Sequence, residues 1–275
     1  MGQLSNIRKQ LGSTNLNLSP IGLGTVKFGR NEQVKYPNSF EIPDETTLSD
    51  FLDLAESLGI NTLDTAPAYG ASEERLGRLL KDQRESWIIV GKAGEWFEDG
   101  ASRFDFSADA IEQSLHESLE RLNTDYIDAL LLHSNGDDTA ILSDDALITR
   151  LHDMKSQGLI KAHGMSTKTV EGGKMAVGLL DCVMATARPG YDSELPVLDH
   201  AKEKGKGALL KKALASGHID RIGGREPVQA SLEFAFDQPA VACVIIGTIN
   251  PDHLRYNVEA ALRALNPDKD KFQTV

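Results

Sequence analysis

Hydrophobic positions along the 275-residue chain alternate between two rhythms. Short runs rich in Val, Ile, Leu and Ala are too brief for helices, and they begin at Pro20 ("PIGLGTV"), Asn61 ("NTLDTA"), Trp87 ("WIIVGKAG"), Tyr126 ("YIDALLLH"), Ile160 ("IKAHGMST"), Asp181 ("DCVMAT"), Gly207 ("GALLKKAL") and Val241 ("VACVIIGT"). These eight runs predict strands buried on both faces. Between them lie segments of helical period. The stretch from Asp44 sets Leu48, Phe51, Leu52, Leu54, Ala55 and Leu58 on one face. Ser107, Ser143 and Asn250 stand as N-caps of three further helices, and Gly158 closes one of them. Strict alternation of strand and helix over this length predicts a closed (β/α)8 TIM barrel, one domain spanning residues 1–275. The residues before Pro20, with Gly12 and Asn15 as turn signals, predict a hairpin that closes the bottom of the barrel. The one long irregular segment, Lys27 to Glu45, follows the first strand, where such a loop forms part of a barrel's active-site mouth.

Composition narrows the class. Lys and Arg total 29 against 41 Asp and Glu, a formal charge of −12, which argues against nucleic acid and anionic membranes as partners. Cys182 and Cys243 sit in apolar runs without ligand-like neighbours, so buried thiols are expected rather than a metal site or disulfide. No basic flank with a long apolar core opens the chain, and Asn6 stands where a myristoylation signal needs Ser or Thr. A cytoplasmic globular protein is the expectation.

On a barrel, chemistry belongs at the C-terminal ends of the strands. The second strand ends in Asp64, the third in Lys92 and the fourth in His133, with Tyr69 in the turn after Asp64. Taken singly each has an ordinary structural reading: a turn-bonding acid, a loop anchor, a snorkelling lysine, a satisfied histidine. Their coincidence at consecutive strand exits suggests one chemistry. A phenol of pKa about 10 is a poor acid, and an ammonium beside it is expected to lower that value. Lys92 supplies the ammonium and Asp64 orients it; Tyr69 then protonates an oxyanion as a carbonyl accepts hydride, and His133 hydrogen-bonds the same oxygen. "GLGTVKFG" from Gly22 lacks the third glycine of a dinucleotide turn, Lys27 standing there. The helix beginning at Asn250 offers an alternative phosphate site through its free amides.

"GLGT", "GINTLDTAPAYGASEERLG", "VGKAG", "DYIDALLLH", "GLIKAHGMS", "LLKKALASG" and "VIIGTINPDHLRYN", in this order, span nearly the whole chain and resemble the aldo-keto reductases. The resemblance implies a barrel that transfers hydride between NADPH or NADH and a carbonyl or alcohol, with Asp64, Tyr69, Lys92 and His133 as the catalytic residues. It also implies cofactor contacts at Gly24, Thr25, Asp64, Ser166, Thr167, Lys211, Leu214, Gly247, Thr248, Asn250, His253 and Asn257. Three departures stand out: Thr167 replaces the usual Asn, Met184 a common Gln, and Lys211 lies near a ring-stacking aromatic. Gly247 and His253 stand where Lys and Arg hold a 2′-phosphate in NADPH-dependent members, so reduced NADPH preference is expected. Val26, Tyr36, Trp96 and Phe97 are expected to line the substrate pocket, and no metal is implied. The expected partner is a small carbonyl or alcohol, with a monomer as the simplest assembly. Three other readings remain: a sugar dehydrogenase working oxidatively, a nucleotide-sensing barrel with weak catalysis, and a Schiff-base lyase using Lys92.

Overall fold

The computed structural model describes residues 4–266. After a 3-10 turn at Leu4–Asn6 come β1 (Lys9–Gln10), β2 (Asn17–Leu18), β3 (Ile21–Gly24), α1 (Val26–Gly29) and α2 (Glu45–Ser57). Then follow β4 (Thr62–Asp64), α3 (Ser72–Leu79), β5 (Ile88–Ala93), β6 (Glu95–Glu98), β7 (Ala101–Phe104) and α4 (Ala108–Leu122). The middle of the chain forms β8 (Ile127–His133), α5 (Asp138–Leu142), α6 (Asp145–Ser156), β9 (Ile160–Ser166) and α7 (Val170–Leu179). Last come β10 (Cys182–Thr186), α8 (Leu195–Glu203), β11 (Gly207–Lys211), α9 (Pro227–Phe236), β12 (Val241–Ile246) and α10 (Pro251–Leu265).

Each of the apolar runs read from the sequence supplies one barrel strand. They close in the order β10-β11-β12-β3-β4-β5-β8-β9, with every pairing parallel. This is the expected (β/α)8 barrel. Its interior is filled by Val90, Leu131, Met184, Leu209, Cys243 and Ile245 among others, and Leu11, Leu16 and Leu18 of the hairpin join that same cluster. Each buried leucine contributes about 1.5–3 kcal/mol, so the hairpin is a plug and not an appendage. Gly12, in its turn, has φ +57, and a Cβ there would lie 2.2 Å from the Gly207 nitrogen at the start of β11. Cys182 and Cys243 are free and buried, which pushes the Cys182 thiol up to about 12.

The helices begin where small polar side chains can satisfy free amides. Asp44 accepts from the Thr47 N–H at 2.7 Å, Ser107 from Ala110 at 3.4 Å, and Asn250 from Asp252 and His253 at 2.8 and 3.1 Å. Three details differ from the sequence reading. Asp144, not Ser143, caps α6, because its carboxylate reaches both Ala146 and Leu147 N–H while the Ser143 hydroxyl closes α5 on the Thr139 carbonyl. The start of the long first loop is a helical turn, α1, and residues 30–44 carry no regular structure. The third strand is followed by an antiparallel hairpin, β6 with β7, turned by Asp99 and Gly100 at φ +51 and +77. Among the described residues no helix is long and apolar enough to cross a membrane.

Candidate active site

Asp64 and His133 end β4 and β8, and Lys92 stands one residue before the end of β5, so the barrel itself sets their spacing. Lys92 Nζ pairs with Asp64 Oδ1 and donates to the Thr65 carbonyl at 3.1 Å, and both side chains are almost wholly buried. Behind them, the Thr25 hydroxyl donates to the Asp64 carbonyl at 3.0 Å and accepts from Ser72 at 2.7 Å, locking two strand ends together. Tyr69 closes a 3-10 turn, Pro67–Tyr69. The next residue, Gly70, has φ +61, and a Cβ there would meet the Gly29 carbonyl oxygen at 2.3 Å, so only glycine brings the turn this close to α1. Lys92 Nζ lies 4.8 Å from the Tyr69 ring centre, and the rings of Tyr69 and His133 meet edge to face at 6.2 Å. The four expected residues are thus brought together.

The electrostatics differ from expectation in one respect. Burial, and after it the negative charge of Asp64, raise the Tyr69 phenol well above its ordinary value; the positive charge of Arg30 opposes this only weakly. The Lys92 ammonium is answered by Asp64, so it does not produce the lowered phenol read from the sequence. Tyr69 is held as a protonated donor rather than a phenolate. His133 carries a partner that the sequence reading missed: Glu95, on β6, brings Oε2 to 2.7 Å from Nδ1, on an approach oblique to the ring N–H. Burial opposes the ionisation of Glu95, but His133 and a 2.6 Å hydrogen bond donated by the Ser102 hydroxyl outweigh it and hold the carboxyl at about 2. Burial lowers the basicity of His133, aided by Lys92 and Lys211 and partly opposed by Glu95.

A cavity of about 500 Å³ adjoins this cluster over β9, β10 and β11, and its walls include Lys35, Lys168, Arg188, Lys211, Lys212 and Arg221 against one acid, Glu194. In a chain of charge −12 this concentration of cations is specific to the place. Lys211 donates to the Ser166 hydroxyl at 2.8 Å and the Thr167 carbonyl at 2.6 Å; burial, then the charge of Lys212, bring it to about 7. Lys212 is lowered by burial and by Lys35 and Lys168. Mutually repelling ammonium groups around an open space fit an anion. The backbone here is strained, with Lys212, Ala215 and Ser216 at φ +56, +50 and +55.

The expected cofactor residues divide into two groups. Ser166, Thr167, Lys211 and Leu214 lie at or beside this cavity, and the Thr167 hydroxyl is buried there without a hydrogen-bond partner. Such an orphan at the wall fits a polar ligand group such as a carboxamide. Gly24 and Gly247 approach each other across β3 and β12, a Cβ at Gly24 falling 3.8 Å from the Gly247 Cα. Thr25 is fully buried with its hydroxyl engaged, so it braces the strand ends instead of facing a ligand. Asn250 is likewise spent: its side chain caps the Asp252 and His253 amides that the sequence reading left free for phosphate. Thr248 accepts from the Asn250 N–H at 3.1 Å, Asn257 is buried and His253 is exposed.

Of the expected pocket residues, Val26 opens α1 and Tyr36 reaches across to Gly247, its hydroxyl 2.5 Å from where a Cβ would stand. Lys27 Nζ sits 4.1 Å over the Tyr36 ring. Trp96 and Phe97 lie on β6, under the guanidinium groups of Arg103 at 4.4 Å and Arg30 at 3.3 Å. Asp138 is a second residue that the sequence reading passed over. It is buried, bonds Ser134, and accepts from the Lys168 and Thr169 amides at 2.8 and 2.7 Å, fixing the loop that carries Thr167. Glu194 similarly holds the Thr186 amide at 3.0 Å.

A parallel barrel with a buried Lys-Asp pair, a phenol and an imidazole at consecutive strand exits, beside a cationic cavity, defines a class of barrel proteins equipped for proton transfer next to a bound anion. Residues 20–187 match the model of the Aldo/keto reductase family. An aldo-keto reductase structure assigned from Pseudomonas aeruginosa is 50% identical over 96% of this chain and 97% of its own, with a TM-score of 0.87. The Bacillus subtilis oxidoreductase YqkF is 29% identical, covering 92% of this chain and 90% of its own length. L-galactose dehydrogenase of Arabidopsis thaliana is 26% identical, covering 97% and 92%. The chain belongs to the aldo/keto reductase family. It is an enzyme, an oxidoreductase using a dinucleotide of the NAD(P)(H) type.

Proposed function

We propose that the enzyme interconverts aldehydes or ketones and the corresponding alcohols at the mouth defined by Asp64, Tyr69, Lys92 and His133. The observation that carries this reading is the buried Lys92–Asp64 pair set against the Tyr69 ring, because a buried ion pair with a phenol beside it serves a change of charge better than it serves stability. In reduction Tyr69 gives its proton to the carbonyl oxygen, Lys92 and Asp64 hold the phenol in place, and His133 meets the same oxygen. A bound nicotinamide supplies or takes the hydride. Ser166 and the unpartnered Thr167 hydroxyl would hold its carboxamide, Lys211 would lie under the ring, and Lys212, Arg188 and Arg221 suit the diphosphate. A Schiff base at Lys92 fits less well, since Asp64 occupies its ammonium.

For the adenosine end, Gly247 brings no charge and His253 is a weak clamp for a 2′-phosphate, which supports use of NADH as well as NADPH. Similarity to L-galactose dehydrogenase favours a second reading within the same chemistry, oxidation of a sugar hemiacetal. One panel tests both. Turnover is followed with NADH and NADPH on aldehydes and ketones, and with NAD⁺ and NADP⁺ on aldoses, alongside dinucleotide binding by fluorescence titration. Turnover with either reduced cofactor is expected, with affinities for the two within about tenfold. Binding without turnover on any substrate would make the barrel a nucleotide sensor, and a thousandfold preference for NADPH would refute the reading of Gly247 and His253.

A further inference from the structure

The mouth and the cation-walled cavity meet at one residue, Lys211, the last of β11. On the mouth side, His133 pairs in register with Ser166 of the neighbouring strand, and the Ser166 hydroxyl accepts from Lys211 Nζ at 2.8 Å. The positive charge of Lys211 is felt at His133, and that of Lys92 at Lys211. On the cavity side, Lys211 shares the wall with Lys212 and with Thr167, whose carbonyl takes its second hydrogen bond at 2.6 Å. A dinucleotide whose diphosphate lies among the cavity cations therefore brings its reactive ring to Tyr69 and His133 by way of Lys211.

Lys211 differs from Lys92 in a way that bears on such a ring. Asp64 cancels the charge of Lys92 at contact. Lys211 is bonded to a hydroxyl and a carbonyl instead, which orient an ammonium without neutralising it, and the carboxylates of Glu194 and Asp138 act on it only through space. Burial and the neighbouring cations already disfavour its charge, so a further positive group beside it is opposed. Oxidised nicotinamide is a cation and the reduced ring is neutral; the two forms of one cofactor differ in the property that Lys211 senses. We propose that Lys211 is a specificity-determining residue that repels the cationic ring of oxidised dinucleotide, so that the enzyme loads the reduced form and lets the oxidised product leave. The inference rests on reading the mouth as the hydride-transfer site. It deepens that reading toward carbonyl reduction, since oxidation of a hemiacetal has to begin with the form that Lys211 repels. No covalent bond is made or broken at Lys211.

The test is calorimetric titration of the full chain with NADH, NAD⁺ and ADP-ribose, and with NADPH and NADP⁺ in parallel, for wild type and Lys211→Met. It is run a little below the value of about 7 that Lys211 takes, so that the ammonium is charged. ADP-ribose has the diphosphate and lacks the ring, so it reports the cavity alone. Wild type is expected to bind NAD⁺ about tenfold or more weakly than NADH. Lys211→Met keeps most of the stem and loses the charge. In it that ratio should fall to near one, while the affinities for NADH and ADP-ribose change together. Equal binding of the two forms by wild type, or an unchanged ratio in Lys211→Met, overturns the proposal. A residue that merely clips β11 to the exit of β9 would weaken all the ligands alike and so leave the ratio unchanged. Should Lys211→Met not fold, Lys211→Gln is read in its place, since its amide still donates hydrogen bonds without a charge. A wild type that binds both forms and turns over no substrate would defeat the oxidoreductase reading instead, while the ratio still decides the role of Lys211.

Discussion

Two buried carboxylates lie on β4 and β8, the strands on either side of β5, and they are treated differently. Asp128, near the start of β8, accepts from Arg84 at 2.8 Å, Lys161 at 2.9 Å and the Ile89 amide at 3.0 Å. Arg84 spends its remaining nitrogens on Thr124 and the carbonyls of Trp87 and Tyr126, and both cations cover the Tyr126 ring. None of these residues lines the cation-walled cavity. At the mouth, Asp64 answers Lys92, but around the pair stand a protonated phenol, an obliquely met imidazole, an orphan hydroxyl at Thr167 and lysines that repel one another. Satisfied networks rigidify a fold; incompletely satisfied ones at a strained rim await a ligand. The difference separates a brace from a reaction site although the residue types are alike.

The sharpest way to break this comparison is to neutralise the mouth pair. The double variant Asp64→Asn, Lys92→Met should lose about 10²-fold or more in kcat, while its unfolding free energy holds or rises, because removing both members of a buried pair leaves no stranded charge. Denaturant unfolding and steady-state rates on the same sample check this. Asp128→Ala should do the reverse, costing about 3 kcal/mol by leaving the nearly buried Arg84 without its carboxylate, with kcat of the folded fraction unchanged. A smaller effect is expected at the cavity: Lys212→Ala should weaken dinucleotide binding by about tenfold and flatten its dependence on salt. The smallest concerns pH. Lys211 titrates at about 7 in the folded chain and about 10.4 when unfolded. Between those values the unfolded state binds more protons, so wild-type stability rises with pH there. In Lys211→Met that rise should be absent from unfolding curves taken across the range.

Much of this was legible in the chain itself. The apolar runs "IIVGKA" and "IDALLLH" are strands of an inner parallel sheet, and their last polar residues could only be exits. Ser107 and Asn250 announced their helices because a short oxygen side chain one step before an amphipathic run has few other uses, whereas Ser143 pointed one residue too early, to the neighbour of the true cap Asp144. What escaped depends on contacts far apart in sequence. The β6–β7 hairpin carried a signal, Asp99-Gly100 between short alternating segments, which is the residue pair a tight turn with two positive φ values requires. With the hairpin unread, Glu95 had no reason to be placed against His133. Nor can spacing disclose that Asn250 spends its oxygen on its own helix, or that Asp64 and burial raise the Tyr69 phenol, since burial is a property of the packed molecule.

The central claim, that the mouth exists for proton donation and not for stability, is tested most directly by Tyr69→Phe, with aldehyde-dependent oxidation of NADH and NADPH and the unfolding midpoint measured together. The account predicts a fall of about 10²–10⁴-fold in kcat with an unchanged midpoint, because no hydrogen bond from the Tyr69 hydroxyl supports the fold among the described residues. Full turnover in Tyr69→Phe, or a lost fold, would contradict it.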